Sequence, residues 1–117
     1  MSWTPLIRAG GLVLGALLLG PRPALASARA VAKERVALRA EAHEILGAYC
    51  GKCHDSKLPT AKPSALAVFD LAQADWADRL TGERLEHILG RMESFGVPEP
   101  SRVRLRAFVA AEKRARP

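Results

Sequence analysis

Cys50-Gly51-Lys52-Cys53-His54 constrains this chain more than any other stretch of its 117 residues. Two thiols three residues apart, followed at once by an imidazole, form the C-x-x-C-H pattern that attaches c-type haem. The chemistry explains the spacing: each thiol adds to one of two neighbouring vinyl groups on a porphyrin edge, while the adjacent His turns in to ligate the iron. These are the only two cysteines of the chain, so the motif consumes both. Three other readings compete. A thioredoxin-like redox pair needs a βαβ setting, whereas Ile45-Leu46-Gly47-Ala48-Tyr49 reads as the end of a helix. A zinc site needs two further ligands, and His43 and His87 lack paired spacing. A structural disulfide is the third.

The N-terminus adds weight to haem. Met1 to Arg8 carries one positive charge, Ala9 to Gly20 is apolar, and Ala24-Leu25-Ala26 is an A-x-A cleavage signature. Residues 1–26 are therefore expected to be a cleavable signal peptide, with Ala28 as the second choice of cleavage point. The apolar run falls short of the roughly twenty residues that span a bilayer, which argues against an uncleaved anchor. No cysteine near the cleavage point offers a lipid attachment site, and no Arg-Arg pair marks export of a folded chain. Export matters because thioether formation takes place outside the cytoplasm in bacteria, so the expected location is periplasmic.

Residues 27–117 then form one small domain, whose own core is marginal at this size and would gain a large apolar body from a porphyrin. Removing Arg8 and Arg22 leaves 16 Lys and Arg against 12 Asp and Glu, a formal charge of +4. A mildly basic soluble monomer of this kind is suited to docking an acidic redox partner by electrostatic steering. Nucleic acid is not expected, since the basic residues are dispersed and no aromatics interleave with them.

Along the expected mature chain the patterning is helical throughout. Ala28 to Ala48 is rich in Ala, Glu, Arg and Leu, and Val31, Leu38, Ala42, Ile45, Leu46 and Tyr49 recur at helical spacing. This predicts an amphipathic helix leading to Cys50. His43 near its inner end is either a partly exposed helix histidine or a haem contact. Asp55 to Pro63 reads as a loop, in which Pro63, or alternatively Pro59, is placed to stiffen the chain so that a backbone carbonyl accepts the Nδ1 proton of His54. Leu66 to Leu80 fits one or two short helices with Asp70 or Asp75 as N-cap, and Trp76 within it either walls the haem edge or packs the core. Thr81 caps a predicted helix over Glu83 to Met92, with Leu85, Ile88, Leu89 and Met92 on one face. Gly96, Pro98 and Pro100 break the chain, and Ser101 opens a last helix with a Leu105, Phe108, Val109 stripe and Arg102, Arg104, Arg106, Lys113, Arg114 and Arg116 facing water. No stretch alternates as a strand does, and the fold class read from this pattern is all-α.

Met92 is the sole methionine of residues 27–117, and a thioether on the sixth position of the iron stabilises the ferrous state. Met92 equally completes a core stripe, and His87, His43 or an open position are the other ways to fill that site.

Taken together, these residues resemble the small class I bacterial cytochromes c, monohaem proteins. Cys50, Cys53 and His54 match the attachment site of that family, Pro63-Ser64-Ala65-Leu66 resembles the segment after its proline, and Met92-Glu93-Ser94-Phe95-Gly96 resembles its M-P-x-F-G segment. Phe108 stands where an aromatic on the last helix often meets the first. Glu93 replaces the usual proline, and Leu46 occupies a position where an aromatic is common. The resemblance implies a helical domain wrapped around one haem c, covalent through Cys50 and Cys53, with His54 and Met92 as axial iron ligands. It implies an electron carrier that cycles Fe(III) and Fe(II) between a membrane complex and a terminal oxidase or reductase, and not an enzyme. The alternatives are a haem-based ligand sensor and a small haem subunit of a larger oxidoreductase.

Overall fold

The Ala- and Arg-rich stretch that the sequence marks as helical is longer than its patterning predicts. In the computed structural model, which describes residues 2, 10, 11 and 23–116 (the side chains of 23–26 excepted), α1 runs over Pro23–His54. At 1.5 Å per residue its 32 residues extend about 48 Å. The expected signal peptide falls outside the described residues apart from isolated positions 2, 10 and 11 and the helical backbone of 23–26. Three further helices follow: α2 (Pro63–Leu66), α3 (Gly82–Arg91) and α4 (Glu99–Ala115). Among the described residues there is no strand, and the fold class is all-α. No described helix is long and apolar enough to cross a membrane.

Local chemistry sets most of the boundaries. Thr81 accepts a hydrogen bond from the Arg84 amide at 3.2 Å, which satisfies one of the unpaired donors at the start of α3. The chain leaves α3 through Gly96, whose φ of 68° lies in the left-handed region that a side chain would strain, and the Val97 amide returns to the Met92 carbonyl at 3.2 Å. α4 begins two residues earlier than expected, at Glu99, because Pro100 sits in its first turn, where a missing N–H costs nothing.

Residues 70–80 correct the reading of that segment. They form successive turns and no helix. Asp70, expected as a helix cap, instead accepts from the amides of Ser56 (3.1 Å) and Ala72 (2.9 Å), an Asx-type turn that ties two loops together. Hydrogen bonding from Ser56 and from the Ala72 amide holds its carboxyl at about 2. Asp75 pairs with Arg79.

α4 packs against both α1 and α3, and the core lies between them. Leu38, Ala42 and Leu46 of α1 meet Leu85 and Ile88 of α3 and Leu105, Phe108 and Val109 of α4 in one buried cluster. Two members of the expected α1 face are not part of it: Val31 is 62% exposed, because the first turns of α1 project beyond its partner helices, and Tyr49 is 37% exposed. Phe108 is fully buried, its ring 5.5 Å from that of Trp76.

One charged residue shares this core. Glu112 is completely buried, and the guanidinium groups of Arg35, Arg39 and Arg116 converge on its carboxylate, Arg35 at 2.9 Å. Arg39 bridges onward to Asp78 at 2.8 Å, and Arg116 donates to the Ala77 carbonyl. Arg116, expected in water, is thus half-buried, as is Arg102. Burial alone pushes the Glu112 carboxyl upward, but hydrogen bonds and charge from Arg39 and Arg35 outweigh it and hold the group down at about 2. A carboxylate with a depressed folded-state value stabilises the fold above its unfolded value and loses that contribution as pH falls towards the folded one. Stability should therefore decline as pH drops from about 4.5 towards about 2, followed by helical circular dichroism during chemical unfolding. Glu112→Gln should destabilise the fold at pH 7 by at most about 3–5 kcal/mol, because it leaves the half-buried guanidinium groups of Arg35 and Arg116 without their carboxylate, and should flatten the pH dependence in that window.

Candidate functional site

A helix that ends inside a protein leaves its last four carbonyls without intrahelical donors, and these need partners. The last four residues of α1 are Gly51, Lys52, Cys53 and His54, so the motif occupies this final turn. Each carbonyl is met. The Asp55 amide donates to Gly51 (3.0 Å), the Thr60 hydroxyl to Lys52 (2.6 Å), the Lys62 amide to Cys53 (3.1 Å) and the Leu71 amide to His54 (2.8 Å). The loop after the motif thus wraps back over it, and this is why α1 continues six residues past Ala48. Pro63 contributes at one remove. It is the first residue of α2, and it keeps Lys62 extended, the conformation in which the Lys62 amide reaches Cys53.

The same wrap orients the imidazole. His54 Nδ1–H donates to the Phe69 carbonyl at 3.0 Å, and the Phe69 ring stacks on the imidazole with centroids 3.8 Å apart and planes within 4°. A carbonyl only accepts, so Nδ1 carries the proton and Nε2 keeps the lone pair. The carbonyl belongs to Phe69, six residues beyond Pro63.

Cys50, Cys53 and His54 line a cleft of about 550 Å³, within the size range of small-molecule and cofactor sites. Its walls are mostly apolar: Ile45 and Leu46 from α1, Val68 and Phe69 from the returning loop, Ile88 from α3 and Leu105 from α4. Both thiols are free and half-buried, and burial, with the neighbouring Cys53 adding to it, pushes the Cys50 thiol above its ordinary value. Among the described residues no group of three or more His, Cys, Asp and Glu converges as a metal cluster.

The remaining candidates divide by place. Met92, at the C-terminal end of α3, is buried and lines the cleft, as does His87. The lone pair of His87 is engaged, because Arg91 Nε–H donates to its Nε2 at 3.2 Å. His43 is not in the cleft lining: its Nε2–H donates to the Leu71 carbonyl at 2.7 Å, with Trp76 5.7 Å away, so it clamps the loop on which the His54 carbonyl depends. Trp76 does not line the cleft either and packs in the core between His43 and Phe108. Pro63 is exposed and also outside the lining. Phe95, which follows Met92 closely, lines the cleft mouth while 50% exposed.

Sequence reading did not single out Phe69 as the partner of His54, or Arg84 and Arg91 as residues of the cleft. A spacing signal existed for the arginines, which stand seven residues apart, with His87 between them, on the helix whose C-cap is Met92.

The residues present fit a covalently attached haem. Two thiols, an imidazole with the metal-binding tautomer set by a backbone carbonyl, and a thioether share one apolar cleft. No protein-family model matches the chain, and no curated protein and no solved structure matches it.

Proposed function

We propose that the chain is a periplasmic electron carrier of the cytochrome c type, holding one haem through thioethers to Cys50 and Cys53. The observation that carries this reading is the hydrogen bond from His54 Nδ1 to the Phe69 carbonyl, beside two free thiols in an apolar cleft. That bond reserves Nε2 for a metal and holds the ring against rotation. Haem bound there supplies reversible one-electron chemistry at the iron. Cys50 and Cys53 would attach the group, His54 Nε2 and the Met92 thioether would hold its iron, and the apolar lining would keep the site at low dielectric. A soluble basic carrier of this kind takes an electron from one acidic partner and delivers it to another, and needs no nucleophile or general base.

Covalent attachment is tested directly. The exported wild-type chain should retain haem through acid-acetone extraction and denaturing electrophoresis, and the Cys50→Ala, Cys53→Ala double variant should carry none after the same treatment. Release of haem from the wild type would sink the assignment.

One feature favours a ligand-binding role instead: Met92 is already packed among Ile88, Val97 and Leu105, as a plain core residue would be. The two readings separate on Met92→Ala. Axial ligation predicts a lower reduction potential and new binding of carbon monoxide by the reduced protein, with the haem still attached. Core packing alone predicts a loss of about 2–5 kcal/mol of stability with spectrum and potential unchanged.

Charge steering has its own signature. The rate of electron exchange with an acidic partner should fall as added salt shortens the Debye length to about 10 Å and below. A rate indifferent to salt would point to a permanent complex, as expected of a subunit of a larger oxidoreductase.

A further inference from the structure

The cleft is lined by Lys52, Lys62, Arg84 and Arg91 and by no acidic residue. Elsewhere the arginines have found carboxylates: Arg35, Arg39 and Arg116 meet Glu112, Arg79 meets Asp75, Arg102 and Arg106 meet Glu99, and Arg104 meets Glu41. Among the described residues, Arg29, Arg84, Arg91 and Arg114 are without an acidic partner. Arg29 and Arg114 are exposed near the two outer helix ends, where water solvates them. Arg84 and Arg91 are different, because both line the cleft.

Their settings are specific. Arg84 is half-buried, and its Nη1–H donates to the Val68 carbonyl at 3.2 Å, which holds the guanidinium at the cleft wall without neutralising it. Arg91 uses Nε–H on His87 and makes no other hydrogen bond among the described residues. A half-buried cation lacking an anion carries an uncompensated desolvation cost, which a carboxylate would offset. Seven residues on one helix place the two Cα atoms about 10.5 Å apart along α3, a spacing at which each guanidinium can meet a carboxylate of its own. The planar donor fork of each matches a carboxylate in two-pronged fashion.

We propose that Arg84 and Arg91 form the carboxylate-receiving edge of the cleft and bind the two propionates of the haem, an inference that rests on the haem reading above. An apolar plate with two carboxylates on one edge is the ligand chemistry that an apolar cleft with an unpaired pair of arginines selects. Lys52 and Lys62 are exposed on flexible stems and remain available to a docking partner.

The test uses the full chain exported and loaded with haem, comparing the wild type with Arg84→Gln, Arg91→Gln and Arg84→Lys. Arg114→Gln serves as a control that removes the same charge away from the cleft. Haem staining on a denaturing gel comes first: a wild type without covalent haem means that the haem reading itself has failed. With haem present, the midpoint potential is measured at neutral pH by spectroelectrochemistry, the electrode supplying the electron. Loss of the cation leaves a propionate charge unbalanced near the iron and favours Fe(III). At a fixed applied potential the Fe(III)/Fe(II) ratio should rise on the order of tenfold in Arg84→Gln and in Arg91→Gln, and much less in Arg84→Lys and in Arg114→Gln. Should Arg84→Gln fail to accumulate, the exposed Arg91, which contacts no backbone carbonyl, gives the same readout. Midpoints in the glutamine variants equal to that of Arg114→Gln overturn the assignment, and so does a slower reaction with partner at unchanged midpoint, which would make the arginines docking residues.

Discussion

The closure of the last turn of α1 is the interaction on which the site depends. Four carbonyls that would otherwise face water are met in turn by Asp55, Thr60, Lys62 and Leu71. Because the motif is that turn, satisfying the helix end and positioning Cys50, Cys53 and His54 are one event. The loop that does so also carries Phe69, whose carbonyl and ring fix the imidazole from two directions. Loops are ordinarily the more mobile part of a fold, and this one is held at both ends: Lys62 by Cys53, and Leu71 by His54 and, through its carbonyl, by His43.

A second constraint sets the crossing of the terminal helices. Apolar stripes alone tolerate sliding, whereas a buried carboxylate met by Arg35 and Arg39 from α1 and Arg116 from the chain end has a single satisfied arrangement. Leu105 links this crossing to the cleft, since it is a fully buried core residue that also lines the cavity. Met92 and Ile88 do the same from α3. The cleft is therefore a face of the core and not a separate pocket, so a body filling it would complete the packing of all three long helices.

The charge distribution follows the same division. Ion pairs lie along the α1–α4 seam and on the outer surfaces, and the cleft carries cations alone. An apolar lining with one sign of charge at its border binds amphiphilic anions by desolvation of the plate and pairing of the charged edge. Phe95, half exposed at the mouth, adds an apolar point beside these cations.

What is local in sequence was legible without the fold. The C-x-x-C-H spacing, the Thr81 cap, the Gly96 break, the Leu105-Phe108-Val109 stripe and the all-α class each depend on residues within a few positions of one another, where backbone sterics and periodicity decide the outcome. The site's supports were not legible, because their partners lie far apart in the chain. His54 and Phe69 are 15 residues apart, His43 and Leu71 28, and Arg35 and Glu112 77. No periodicity encodes which carbonyl a ring nitrogen will meet or which carboxylate a core will bury. The same limit explains why residues 70–80 read as helix yet fold as turns, why Val31 is exposed although it falls on the apolar face of α1, and why only the fold decided that Trp76 packs the core rather than the cleft. By itself the sequence determined the three long helices, though not their exact ends, and the residue types and spacing of the motif. Only tertiary packing decided which donors close α1, which nitrogen of His54 is left free and which arginines remain without a carboxylate, since each of these is a contest among distant groups for the same hydrogen bond or charge.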